Sequence, residues 1–129
     1  MKLEKLAVAF FEAGKIAAAS DQPEVLHPFR GAAKRLRYTI EIIDPPGSDH
    51  WLNLLRLIQQ QLGDMNDAFV AERYLRSRPT LSTRARPLPA LLHANAQSHI
   101  VKFQSTWQRR FGPRTEKAWL AWARSIKLV

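Results

Sequence analysis

His27, Arg30, Lys34 and Arg37 follow one another at intervals of three or four residues, the spacing that stacks side chains on one face of an α-helix. With Tyr38 and Glu41 they fall within an arc of about 100° on a helical wheel, and Phe29, Ala33, Leu36, Ile40 and Ile43 gather within roughly 80° on the opposite side. One face can be buried, and the other is a row of cations. At about 1.5 Å of rise per residue the step from Arg30 to Arg37 covers roughly 10 Å, which suits a linear chain of phosphates. Arginine forks hold phosphate oxygens bidentately, and lysine adds a compact charge that tolerates a range of positions. His27 falls in the first turn, where backbone N–H groups and the positive end of the helix dipole favour anions. A row of Lys and Arg on an exposed helix face commonly serves only solubility. In that case acids interleave with the bases, whereas here Glu41 is the only acid on the face and can pair only with Arg37. Cations left unpaired at this spacing cost stability, and a polyanion would neutralise them.

The rest of the chain agrees with a polyanion partner. Its 20 Lys and Arg against 11 Asp and Glu give a net charge of +9, and such a surface attracts phosphate polymers. The charge is not spread evenly: residues 30–37 carry +4, residues 38–72 carry −5, and residues 73–129 carry +11. Arg73, Arg76 and Arg78, followed by Arg84 and Arg86, form a second anion-binding candidate, set against the simpler reading of a solvated loop. With 129 residues the chain is read as one domain, 1–129, able to bury a single core. The absence of cysteine removes disulfides, cysteine-based metal sites and thiol nucleophiles. Charges interrupt the apolar residues of Met1–Leu6, so no signal-peptide core is visible and the expected location is cytoplasmic.

The elements that must position the cationic row are helices. Apolar residues recur every three or four positions, and no stretch alternates with period two. Pro23, Pro45-Pro46-Gly47, Pro79, Pro87, Pro89 and Gly112-Pro113 mark the joints. A first helix over about 3–19 has Leu3, Leu6, Ala7, Phe10 and Ala17 on one stripe, with Gly14 on the same face where another helix can come close. The second runs from about Pro23 or Glu24 to Ile43, with Asp21 as a candidate cap. The third starts after Ser48 or Asp49 and reaches about Arg76, carrying Trp51, Leu54, Leu55, Ile58, Leu62, Met65 and Phe69. A fourth stripe comprises Leu88, Leu92, Ala96, Ile100, Phe103, Trp107 and Phe111. A final helix over about 114–127 groups Trp119, Trp122, Ala123 and Ile126. The expected fold is all-α, a four- to five-helix antiparallel bundle.

His27-Pro28-Phe29-Arg30-Gly31-Ala32-Ala33-Lys34-Arg35-Leu36-Arg37-Tyr38-Thr39-Ile40-Glu41 resembles the signature helix of the CHAD family, the conserved histidine α-helical domain, with its pattern H-x-x-R-x-x-x-K-R-L-R-Y-x-x-E. Leu55-x-x-Ile58-Gln59-x-x-Leu62-Gly63-Asp64-Met65-Asn66-Asp67 looks like the family's L-x-x-L-Q-x-x-L-G-x-x-x-D segment. The likeness is firm over residues 23–76 and loose at the end of the fourth helix, Trp107–Phe111. It implies a helical bundle that binds inorganic polyphosphate through His27, Arg30, Lys34, Arg35 and Arg37, with Tyr38 on the same arc. It does not imply catalysis by this domain, and it points to a place at polyphosphate granules. A typical member has two repeats facing a shared basic channel. This chain has one signature helix, closest to the second repeat, so either two chains pair to rebuild the channel or the site is an open half; a homodimer is the expectation, held by apolar contacts of the first helix or of the Trp119/Trp122 helix.

Other constellations are weaker. Asp64 and Asp67 lack further metal ligands at helical spacing, and Asp67 is better read as orienting a basic side chain. Gly63 is read as a point of close helix contact. His50, His93 and His99 match no metal spacing, and no nucleophile elbow, Walker loop or dinucleotide fingerprint is present. No catalytic residue, metal or cofactor is expected, and no membrane partner. The alternatives are a nucleic-acid-binding helical protein, which the net charge equally supports, and an accessory subunit of a polyphosphate- or triphosphate-metabolising enzyme. A helix-turn-helix is disfavoured because no short recognition helix follows a three- or four-residue turn.

Overall fold

The helix boundaries follow local chain chemistry. In the computed structural model, which describes residues 2–78 and 87–126, α1 spans Lys2–Ala18, α2 Leu26–Ile43, α3 Ser48–Arg76, α4 Pro87–Arg110 and α5 Pro113–Ser125. No strand occurs among the described residues. Proline opens α4 and α5, where its missing N–H costs nothing. At the end of α2 the Asp44 N–H donates to Ile40 O at 2.8 Å while Asp44 turns left-handed, φ 48°, a conformation its short polar side chain tolerates. Pro45 and Pro46 then prevent continuation, and Gly47, φ 81°, lets the chain turn into α3. Trp122 of α5 holds this turn, its Nε1 donating to Pro46 O at 2.9 Å.

Cross-links fix the helix directions. Gln61 Nε2 donates to Thr106 Oγ1 at 2.8 Å and His93 Nδ1 lies 2.8 Å from Glu72 Oε1, so α3 and α4 run antiparallel. Gln104 Nε2 donates to Ala18 O at 3.1 Å, tying the end of α1 to α4. Ion pairs Lys15–Glu116 at 2.8 Å and Arg124–Glu4 at 3.0 Å lay α5 antiparallel along α1. Phe10 of α1 is the centre of the core, with the rings of Phe11, Phe29, Trp107, Phe111 and Trp119 at 5.2–6.0 Å. The close approach expected at Gly14 is made by Trp107, whose ring occupies the place a Cβ would take.

Several local expectations are corrected. Phe11, outside the first stripe, is fully buried, because α5 covers a second side of α1 and widens its apolar arc. Asp21 does not cap α2. The helix is entered through a 3-10 turn, Pro23–Val25, whose Gln22 N-cap uses no side-chain cap, and Asp21 Oδ1 instead accepts from Gln22 Nε2 at 3.0 Å. A Cβ at Gly63 would meet nothing within 4 Å, so no helix comes close there. Trp119 is fully buried and is unavailable to a dimer surface. Leu88 stays 38 % exposed. With 29 residues, α3 is longer than α1 with 17 and α2 with 18.

Candidate functional site

The burial of α2 divides its residues as the amphipathic spacing requires. Phe29, Ala33, Leu36 and Ile40 are fully buried, which anchors the helix and leaves the cationic row on the outer side. Within that row the side chains are not equivalent. His27, Lys34 and Arg35 are exposed, whereas Arg30 and Arg37 are half-buried toward α3. Arg30 and Lys34 line a crevice of about 40 Å³ with Gln59 and Leu62 of α3. Arg37 Nη1 donates to Gln59 Oε1 at 2.7 Å. Its Nε sits 3.0 Å from Glu41 Oε1, near enough for an ion pair but out of line for a hydrogen bond. Its guanidinium carbon lies 5.2 Å from the centroid of the Tyr38 ring, within cation–π range.

Arg35 departs from the row. Its Nη1 would stand 3.2 Å from a Cβ on Gly31, so its guanidinium folds back over Gly31 on the flank of the helix. That follows from spacing, since Arg35 is turned about 100° from Lys34. At His27 the expected supply of free backbone donors is reduced, because Val25 N–H donates to Gln22 O at 3.3 Å and Leu26 N–H to Pro23 O. Among the described residues His27, Arg30, Lys34 and Arg35 have no ion pair and donate no side-chain hydrogen bond.

Asp67 orients no ladder cation; it is exposed on α3 beside Tyr74 and Leu88. The residue that does is Gln59, and the only sequence signal for it was its place in the second motif. Of the second arginine group, Arg76 is paired with Glu72 at 3.1 Å, and the Arg78 guanidinium lies 5.0 Å from the Tyr74 ring centroid. Arg73 and Arg76 share a cleft with Asp21, Glu24, Glu72 and His93, so acids balance the bases there. Arg84 and Arg86 lie outside the described residues. The hydrogen bond from His93 holds the Glu72 carboxyl below the usual carboxylate range, with Arg76 adding to the effect and burial opposing it.

Among the described residues no group of three or more His, Cys, Asp or Glu is placed to hold a metal ion, and no helix is long and apolar enough to cross a membrane. Searches of curated proteins and of solved structures return no match. A family model, the CHAD domain, matches residues 1–76. The match takes in α1, which the two motifs do not reach, and ends with α3, so the loose likeness at Trp107–Phe111 falls outside it. With both signature motifs on α2 and α3 inside a match that covers more than half of its length, the chain belongs to the CHAD family.

Proposed function

We propose that residues 1–129 act as one domain that binds inorganic polyphosphate, without turning it over, through the outer face of α2. The observation that carries this reading is the set of unpaired cations: Arg30, Lys34 and Arg35 share one helix with no acid neutralising them, and Arg30 and Lys34 open onto a crevice free of carboxylates. Arg30 and Lys34 repel each other at i,i+4 by about 0.2–0.5 kcal/mol, a cost that a bound polyanion converts into attraction. The CHAD resemblance adds the nature of the polyanion, a linear phosphate chain. The row holds one carboxylate, Glu41, and the crevice none, so no pair of acids is placed to activate water, which favours binding over hydrolysis.

The chain carries one signature helix, so the reading includes a two-fold pairing of chains around the ligand. Trp119 is withdrawn from that surface, and α1, with Val8 36 % and Ile16 61 % exposed, is the remaining apolar candidate. A location in the cytoplasm at polyphosphate granules completes the proposal. A titration with labelled polyphosphate, with duplex DNA as competitor, tests it. Polyphosphate should bind with a steep salt dependence, resist displacement by DNA, shift the sedimentation coefficient toward a dimer, and release no phosphate in the presence of Mg²⁺. Preferential binding of DNA would replace this reading with the nucleic-acid one, and turnover would replace it with an enzyme.

A further inference from the structure

Gln59 of α3 both holds Arg37 and lines the crevice beside Arg30 and Lys34. Its Oε1 accepts from Arg37 Nη1 at 2.7 Å, and that orientation is forced, because a guanidinium has donors and no acceptor. The NH₂ end is therefore turned away from Arg37. The crevice that Gln59 lines is completed by Arg30, Lys34 and Leu62, and none of those three side chains carries an acceptor. The donors of this amide thus find no partner among the side chains that line the crevice with it, and a group bearing negative oxygen would supply one.

We propose that Gln59 is a direct polyphosphate contact contributed by α3, so that the site is built by two helices. Its Oε1 aims the Arg37 guanidinium, and its Nε2 donates to a phosphate oxygen lodged between Arg30 and Lys34. The proposal rests on the polyphosphate reading above. The crevice is small, about 40 Å³, and exceeds the roughly 10–15 Å³ that a single water needs, so it has room for a phosphate oxygen. The residue type also follows. A glutamate would hold Arg37 but place a negative charge where the phosphate must sit, and a lysine would lose the acceptor that Arg37 needs. A neutral amide meets both demands.

The test compares wild type with Gln59→Glu and Gln59→Met by polyphosphate titration and thermal unfolding. Gln59→Glu should unfold at or above the wild-type temperature, because a carboxylate replaces an amide as the partner of Arg37, and yet bind about tenfold more weakly or worse. As the pH is lowered until the introduced carboxyl protonates, its affinity relative to wild type should recover, since a protonated carboxyl again offers one acceptor and one donor. Gln59→Met, which removes both ends at similar length, should lose affinity with no such recovery. Because a carboxylate beside Arg30 and Lys34 repels a polyanion whatever the amide does, the uncharged variant decides: wild-type affinity in Gln59→Met overturns the proposal. Wild-type protein that binds no polyphosphate overturns the functional reading itself, and with it this assignment, which distinguishes the two failures.

Discussion

Lys34→Ala separates binding from folding more sharply than any other change in the row. Lys34 is exposed, has no ion pair among the described residues, and stands one turn from Arg30. Removing it relieves a like-charge i,i+4 repulsion of about 0.2–0.5 kcal/mol and installs the best helix former. The free protein should therefore be slightly more stable, by up to about 0.5 kcal/mol. Binding should move the other way. Loss of one charge-assisted contact at an exposed position is worth about 1–2 kcal/mol, roughly five- to thirtyfold in affinity. The slope of log K against log salt should fall by about 0.7, the value of one phosphate contact on a single-stranded polyanion. Anisotropy of labelled polyphosphate over a salt series, with urea unfolding of the free protein, measures both quantities. Arg37→Ala is the contrast: it should lose affinity and also about 1 kcal/mol of stability, because the bond to Gln59 goes with it. Unchanged affinity and salt slope in Lys34→Ala, or a loss of stability there, would refute the assignment of the row to a ligand.

Two further outcomes test the scaffold. Gly14→Ala should destabilise by about 1–3 kcal/mol from overpacking, less about 1 kcal/mol of helix propensity. The added methyl meets the ring of Trp107, which stacks on Phe111 at 5.0 Å and cannot yield freely; a rise in Tm would contradict the packing. Glu72→Gln should cost about 1 kcal/mol at neutral pH, a modest figure because His93 and Arg76 are largely exposed. Since the folded state holds the Glu72 carboxyl below its unfolded value, its contribution is complete above the ordinary carboxylate pKa and disappears as the pH falls through the lowered one. The difference between wild type and variant should therefore close in acid, as urea unfolding over a pH series would show.

The positions that fill both motifs, the joints at Pro45-Pro46-Gly47 and Gly112-Pro113, and the two faces of α2 are legible in the residues alone, because period and proline act locally. A wheel separates Arg35 from Lys34 as surely as coordinates do. Gly14 is also legible as a place of close approach, since a residue without Cβ in an apolar stripe asks for something large opposite. What the tertiary structure decided is which side chains share a neighbour. Arg30, Lys34 and Arg37 look alike along one helix, and only the packing of α3 against α2 half-buries Arg30 and Arg37, leaves Lys34 exposed and ties Arg37 to Gln59. The same packing took Asp67 out of reach of the row. The burial of Phe11 and Trp119 likewise depends on α5 folding back over α1, through ion pairs between residues about a hundred positions apart. Helical periodicity reports the environment of a residue averaged over its own helix, and contacts between helices depend on register and crossing, which no single helix encodes.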